Sequence, residues 1–283
     1  MPKFKAIIGT RGTLRLIGIT LFVFIILWFL YRFFFSRSLL KENFTNDNWL
    51  EGLSVIYWIN LDRSLDRKEW MEQLFQDTVF QGVPNQRISG IDGKKPSNVD
   101  SLLENDRMEG VTDSEYGCFL SHLAAIRKFS ESSNDVALFF EDDMTVDLKP
   151  YWKTNIKTIL ENAPKDWDII QLGYNSVDNT KKFLDDEYTK NQANGELKGA
   201  YAYLMNNTSA KNFIASIDKS GKYDLDPKIH HSSDVYLYKA LNTYVYKYPM
   251  FIYKTDNDST IHSGHLSGHE KNKQAILEIY SNM

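Results

Sequence analysis

Residues 136–143 read Val-Ala-Leu-Phe-Phe-Glu-Asp-Asp, an apolar run that ends in three consecutive carboxylates. Five apolar residues in a row, with β-branched and aromatic side chains among them, predict a strand that is buried on both faces. Three adjacent carboxylates destabilise a fold unless a cation lies against them. A divalent metal that carries phosphates is one such cation, because magnesium and manganese prefer oxygen ligands. The alternative is a solvated acidic turn, since Asp is common in turns.

A second group of polar residues follows the first predicted strand, residues 55–60. In open α/β sheets, ligands bind at the carboxyl ends of the strands. Asn60 closes this strand, Arg63 follows in the loop, and Arg67 comes one helical turn later. The start of a helix attracts anions, and two arginine side chains there would hold a pyrophosphate. The alternative is that each arginine forms a surface ion pair with a neighbouring aspartate, which contributes little to stability.

The bulk composition is that of a folded protein of ordinary size. The chain has 283 residues, 42% of them hydrophobic, and a net charge of −4. These values exclude a disordered or fibrous chain. No tract of Lys and Arg runs along the body of the chain, so an electrostatic footprint for nucleic acid is also excluded. Cys118 is the single cysteine, which excludes an intrachain disulfide.

The N-terminus is a different kind of sequence. Residues 16–31 carry no charge, and three phenylalanines extend the apolar run to residue 35. A bilayer is spanned by about 20 apolar residues, and four basic residues before the run against three after it favour a cytoplasmic N-terminus. The alternatives are a cleaved signal peptide and a buried core helix, but the run is long and lacks both a small-residue cleavage site and a polar face. The predicted organisation is a cytoplasmic tail (1–15), a transmembrane signal-anchor (16–35), a stem (36–52) and one folded domain (53–283).

From Leu53 onward, predicted strands and helices alternate, which indicates an α/β fold with a mainly parallel sheet and helices on both faces. Thr112 and Glu115 have the spacing of a capping box, which predicts the start of a helix. Further along, Ser209 is predicted to cap a helix whose apolar face carries Phe213.

The capped helix carries four small or reactive residues near its start. Gly117 and Ser121 lie one turn apart and would let a backbone segment or a ligand approach closely. Cys118 and His122 lie beside them, on the face away from the apolar stripe. A nucleophilic pair is one interpretation, although no third group that would orient the histidine is evident; a structural histidine is the other.

Five of the six histidines fall late in the chain. The spacing of His262, His265 and His269 is compatible with zinc, but no cysteine completes a site there. We therefore predict His262 as a third ligand to a metal that Asp142 and Asp143 hold, with a solvated loop as the alternative.

Asp234 opens a predicted helix directly after two histidines and two serines. It either compensates the helix dipole or acts as a general base, and composition alone does not choose between these roles. His230, His231, Asp224 and Asp226 are the other candidates for a base.

Taken in order, several segments resemble glycosyltransferase family 25, which includes bacterial lipooligosaccharide galactosyltransferases and procollagen galactosyltransferases. The Gly-Cys-x-x-Ser-His helix is the most specific motif. The resemblance covers about residues 53–265 and is carried by WINLDRSLDRKEWM (58–71), RISGIDGKK (87–95), EYGCFLSHLAAIRKF (115–129), ALFFEDDM (137–144), WDIIQLGY (167–174), KGAYAYLMNNTSAKNFI (198–214) and SSDVYLYKAL (232–241).

This resemblance implies a GT-A-like nucleotide-sugar-binding fold, a UDP-sugar donor, Mn²⁺ (or Mg²⁺) and inversion at the anomeric carbon. It implies metal binding by Asp142 and Asp143 and places a late acidic motif at Asp234. The residues expected to contact the donor are Asn60, Arg63, Arg67, Asp92, Ser121 and Glu141.

The expected function is transfer of a hexose, galactose or glucose, to a glycan or to a hydroxylated protein acceptor. The expected protein is a single-pass type II membrane protein of the endomembrane system, or of the inner membrane in a bacterium. One alternative is a catalytically silent, membrane-anchored sugar-binding or chaperone-like protein. Another is a hydrolase that uses zinc or the Cys/His pair.

Overall fold

The computed structural model describes residues 28, 48–176, 186–191, 197–254 and 266–281. Residues 48–283 form one compact unit. Within the described part of the chain, no helix has both the length and the apolar character needed to cross a bilayer. The predicted signal-anchor lies outside the described residues except for Trp28, as do the predicted tail and most of the predicted stem.

The compact unit alternates strands and helices. The strands are β1 (Val55–Asn60), β2 (Asn85–Ser89), β3 (Val136–Phe140), β4 (Met144–Thr145), β5 (Ile169–Gln171), β6 (Asn175–Ser176), β7 (Tyr188–Lys190), β8 (Leu197–Lys198), β9 (Ala202–Asn206), β10 (Asp218–Lys219), β11 (Lys222–Tyr223), β12 (Thr243–Tyr246) and β13 (Ile252–Tyr253). The helices are α1 (Leu65–Leu74), α2 (Pro96–Asp100), α3 (Asp113–Ser130), α4 (Ile156–Asn162), α5 (Asn207–Ile217), α6 (Ser233–Ala240) and α7 (Leu266–Ser281).

Seven strands form the central sheet in the order β2-β1-β3-β9-β5-β12-β7. Strands β2, β1 and β3 are parallel, and so are β5 and β12. Strand β9 is antiparallel to both of its neighbours, and β7 is antiparallel to β12. Five of the seven strands therefore share one direction, which confirms the prediction of an α/β fold with a mainly parallel sheet.

The sheet separates two hydrophobic cores, because successive side chains of a strand point to opposite faces. Phe139 of β3 packs in one core with residues of α3, α5 and α6. Leu138 and Phe140 pack in the other core with residues of α1, α4 and α7. The strand predicted from the apolar run thus has the predicted bounds and is buried on both faces.

The two predicted helix caps have different outcomes. Thr112 Oγ1 accepts a hydrogen bond from the Glu115 amide (3.2 Å), and the Glu115 carboxylate accepts one from the Thr112 amide (2.8 Å), so the capping box is confirmed. The cap predicted at Ser209 is wrong. Asn206 caps α5 and accepts a hydrogen bond from the Ser209 amide (2.8 Å), because β9 passes directly into the helix with no loop between them.

Candidate active site

Strand register brings the first two predicted site residues together. Strands β1 and β3 are parallel, and Trp58 pairs with Phe140. Asn60 and Asp142 each come two residues after this pair, so they lie side by side. The Asn60 amide Nδ2 donates a hydrogen bond to Asp142 Oδ2 (2.7 Å), and both side chains are buried.

The cation that lies against the acidic residues is an arginine of the chain itself. Arg67 lies in the first turn of α1, and its side chain is only 9% exposed. Its Nη1 atom contacts Asp142 Oδ1 at 2.5 Å and Asp143 Oδ2 at 3.2 Å. From the sequence we expected this guanidinium to contact the phosphates of a donor, whereas in the structure it pairs with the two carboxylates predicted to bind metal.

Arg67 offsets the burial of these carboxylates only in part. Burial raises the pKa of Asp142 above its ordinary value, although Arg67 and Asn60 act in the opposite direction. Burial raises the pKa of Asp143 to about 7, and the neighbouring acidic residues add to the effect. Asp143 Oδ1 is buried and has no hydrogen-bond partner among the described residues. Arg67 alone therefore does not balance the charge of the acidic cluster.

A cleft opens at the carboxyl ends of β1 and β3. Asn60 donates a hydrogen bond to the lining residue Asp142, and Asp143 accepts one from the lining residue Arg67. Five of the six residues expected to contact a donor line this cleft, together with Asp142: Arg63, Arg67, Asp92, Ser121 and Glu141.

One wall of the cleft is a loop that packs against the start of α3. The Ser121 hydroxyl donates to the Gly117 carbonyl (2.6 Å) and accepts from the Ile91 amide (2.7 Å). A Cβ atom on Gly117 would lie 2.6 Å from the Gly93 amide nitrogen. The close approach predicted at Gly117 and Ser121 is thus confirmed, and the approaching segment is backbone. In this loop Asp92 accepts a hydrogen bond from Arg63 Nε (3.1 Å).

His122 and Cys118 face the acidic end of β3. His122 is fully buried; its Nδ1 bonds to the Tyr203 hydroxyl (3.1 Å), and its Nε2 lies 3.6 Å from Glu141 Oε1. Sequence reasoning missed this pairing with Glu141, although the polar face of α3 was a signal for it. Burial raises the pKa of the Cys118 thiol well above its ordinary value, which opposes the nucleophilic role of the Cys/His pair.

Asp234 lies in the first turn of α6 and accepts a hydrogen bond from the Gly199 amide (3.2 Å). The preceding residue, Ser233, contacts Cys118 Sγ at 3.6 Å, so the start of α6 is joined to the wall of the cleft. His231, a competing candidate for the base, has both ring nitrogens engaged, by the Tyr116 hydroxyl (2.9 Å) and the Asp226 carbonyl (3.1 Å). Burial lowers its pKa, which fits a neutral structural histidine.

The predicted third metal ligand, His262, lies outside the described residues, as does His265. His269 is described, and its ring packs against Tyr253 with the centroids 4.5 Å apart.

Comparison with known proteins identifies the family. A sequence profile of Glycosyltransferase family 25 (LPS biosynthesis protein) matches residues 53–227. The chain belongs to glycosyltransferase family 25. This confirms the resemblance noted from the motifs. The profile match of this family 25 chain includes the acidic strand end and the Gly-Cys-x-x-Ser-His helix, and it ends before Asp234.

The curated relatives of this family 25 chain are longer proteins. Procollagen galactosyltransferase 1-A of Xenopus laevis is 32% identical over 133 residues, which cover 42% of this chain and 21% of that protein. A glycosyltransferase 25 family member of Aedes aegypti is 28% identical over 134 residues, which cover 43% of this chain and 21% of that protein. The matched region therefore spans about a fifth of the length of these relatives.

Among solved structures, the apo form of mouse xyloside xylosyltransferase 1 aligns at 15% identity with a TM-score of 0.27. The alignment covers 56% of this chain and 59% of that chain. An overlap this weak carries no argument about the site.

Proposed function

We propose that this chain is a metal-dependent, inverting hexosyltransferase. It would move galactose or glucose from a UDP-sugar to a hydroxyl group of a glycan or of a hydroxylated protein side chain, and residues 16–35 would anchor it in a membrane. The observation that carries the proposal is the cleft of a family 25 chain in which Arg63, Arg67 and Glu141 converge. The names of the galactosyltransferase relatives make galactose the first choice.

The three acidic residues that follow β3 have the donor chemistry that suits a hard divalent metal. Manganese and magnesium prefer oxygen ligands, and Asp142, Asp143 and Glu141 offer only oxygens. The buried Asp143 Oδ1 atom, which has no hydrogen-bond partner in the described part of the chain, supports this fit. When bound, the metal would stabilise negative charge on the leaving nucleotide.

Arg67 and a metal would compete for the same two carboxylates. The guanidinium contacts both Asp142 and Asp143, so a metal held by both carboxylates would displace one or both of these contacts. Arg67 lines the donor cleft, so its released guanidinium would remain there. Such an exchange would be consistent with the role in phosphate binding that the sequence suggested for Arg67.

Asp234 is our candidate for the general base. Direct inversion requires the acceptor hydroxyl to lose its proton as it attacks from the face opposite the leaving nucleotide. A carboxylate on an element separate from the metal-binding strand suits that task. The contact between Ser233 and Cys118 supports the choice, because it joins the start of α6 to the donor cleft.

The test is manganese-dependent release of UDP from UDP-galactose by the full chain in detergent, with UDP-glucose in parallel. We expect Asp142→Ala and Asp143→Ala to reduce turnover by orders of magnitude. Asp147→Ala is the matched control, because this exposed carboxylate pairs with Lys273 away from the cleft (2.8 Å). Retained activity with unchanged metal dependence in either cleft variant would show that these carboxylates are not ligands.

One observation favours the catalytically silent alternative. Arg67 pairs with both Asp142 and Asp143, the two carboxylates that turnover would need as metal ligands. That alternative predicts binding of UDP-galactose with no UDP release at any manganese concentration.

A further inference from the structure

A second set of ligand atoms lies in the same cleft and differs in chemistry from the acidic residues. One donor atom from each of Cys118, His122 and Glu141 lies within 4.8 Å of the other two. The set combines a sulfur, an imidazole nitrogen and a carboxylate oxygen, the ligand types that zinc takes in proteins. Manganese and magnesium, by contrast, prefer oxygen ligands.

The imidazole is already oriented for such a role. His122 is 0% exposed, and its Nε2 atom is buried with no hydrogen-bond partner among the described residues. This atom lies 3.6 Å from Glu141 Oε1, beyond hydrogen-bonding distance. On the other side of the ring, the Tyr203 hydroxyl lies 3.1 Å from Nδ1. If Nδ1 carries the proton and donates it to Tyr203, the Nε2 lone pair is free to bind a metal.

The distances allow the three atoms to close around one ion. Ligands of a tetrahedral zinc ion lie about 3.3–3.6 Å apart, given Zn–N and Zn–O distances of about 2.0 Å and Zn–S of about 2.3 Å. The nitrogen–oxygen separation in this structure is 3.6 Å. The Glu141 side chain is 30% exposed and can move to close the remaining gap. Because Cys118 and Glu141 both line the cleft, a fourth position would remain open to it.

We propose that Cys118, His122 and Glu141 form a site for a borderline divalent transition metal of the zinc class. The site differs in chemistry from the oxygen-only set of Asp142, Asp143 and Glu141, with which it shares Glu141. A thiolate and a carboxylate together neutralise the charge of such an ion. Zinc binds a given set of ligands more tightly than manganese does. Occupancy therefore withdraws Glu141 from any metal held by its acidic neighbours. The proposal does not depend on the hexosyltransferase activity, since it concerns metal binding without a donor or an acceptor.

Cobalt(II) absorption tests the site, because cobalt replaces zinc and a bound thiolate adds a charge-transfer band in the near ultraviolet. Cys118 is the single cysteine of the chain, so this band reports on one residue. We expect the metal-free full chain in detergent to develop the band at one cobalt per chain and to lose it when zinc is added. Cys118→Ser should abolish the band. His122→Gln should weaken cobalt binding by at least about 100-fold, because losing a ligand costs more than losing a group that is only hydrogen-bonded to a ligand, which costs about 10–100-fold.

Two further variants separate metal binding from a general effect on folding. Tyr203→Phe keeps the ring that stacks on Phe139 (centroids 5.0 Å apart) and removes only the partner of Nδ1, so it should weaken cobalt binding by about 10–100-fold. His230→Gln, a change at an exposed histidine, should leave the spectrum unchanged. In the unmodified chain, zinc should also protect Cys118 from alkylation. A spectrum without the thiolate band, a band that His122→Gln leaves unchanged, or alkylation that zinc does not slow would overturn the proposal.

Discussion

Asp143 carries the most unfavourable charge that we find in the described part of the site. Its carboxylate is largely shielded from water and lies near Glu141 and Asp142, and Arg67 compensates only in part, so its pKa is raised to about 7 from an ordinary value of 3.8. Between pH of about 4 and 7 the folded protein therefore binds more protons at this residue than the unfolded chain does. The free energy of unfolding falls as the pH rises through that window.

The change Asp143→Asn should accordingly stabilise the metal-free protein above pH 7. The variant removes the buried charge and leaves Arg67 paired with Asp142. Its melting temperature, measured with a chelator present, should exceed that of the parent chain at pH 8, and the difference should shrink towards pH 4. Manganese should then stabilise the parent chain more than the variant. A variant that melts below the parent chain at pH 8 contradicts this account of the charge.

The change Asp234→Asn keeps the shape of the side chain and removes its ability to accept a proton. General-base catalysis contributes about 10²–10⁴-fold, so kcat should fall by roughly that factor while donor and manganese affinity stay near their original values. Asp147→Asn is the matched control, because this exposed carboxylate pairs with Lys273 away from the cleft (2.8 Å). Loss of UDP-sugar binding would instead assign Asp234 to the donor site. If neither kcat nor binding changes, Asp234 only compensates the helix dipole at the start of α6.

At the level of secondary-structure elements, the packing of helix α3 against the loop that contains residues 91–93 shapes the cleft. Gly117 has no side chain, so the backbone of Ile91 and Gly93 lies directly on the helix, and the Ser121 hydroxyl fixes it there. The position of Asp92 depends on this contact. The fit between helix and loop is therefore part of the candidate site.

The change Gly117→Ala tests that fit. Its Cβ atom would lie 2.6 Å from backbone atoms of Ile91 and Gly93, so the loop must shift. We expect a loss of about 1–3 kcal/mol in the free energy of unfolding, as for other overpacked sites, together with a higher KM for the donor.

Gly268→Ala is the control for this test, because a Cβ at residue 268 of α7 meets nothing within 4 Å. It should leave stability unchanged or raise it by up to about 1 kcal/mol through helix propensity. Equal stability and an equal KM in the Gly117 variant and the parent chain would show that the loop is not held by this contact.

At the scale of the whole molecule, membrane topology stays a prediction. The charge-free segment at residues 16–31 and the four basic residues before it predict a cytoplasmic N-terminus and a lumenal C-terminal domain in a eukaryotic cell. Protease added to sealed microsomes should therefore spare the domain that begins near Leu53 and degrade it once detergent opens the vesicles. Digestion of that domain in intact vesicles would reverse the topology.

Much of the fold and part of the site could be predicted from local patterns. The bounds of β1 and β3 and the capping box of α3 depend on residues close together in the chain, whose periodicity and hydrogen-bonding capacity are evident without a structure. The motifs likewise pointed to the residues that line the cleft. The cap predicted at Ser209 was wrong because the start of that helix does not depend on local sequence alone. Side-chain chemistry at that residue is compatible with a cap, but β9 and α5 share a boundary that is set by sheet pairing.

The partners of the charged groups were decided only by the tertiary structure. Asn60 and Asp142 are 82 residues apart in the chain, and the parallel register of β1 and β3 makes them neighbours. Local sequence could not show that Arg67 pairs with Asp142 and Asp143, or that His122 faces Glu141, because each contact joins elements that meet only when the sheet is assembled. The physical reason is that charge and hydrogen-bonding capacity belong to the residue, whereas distance and burial, which determine how strongly those groups act on each other, belong to the fold.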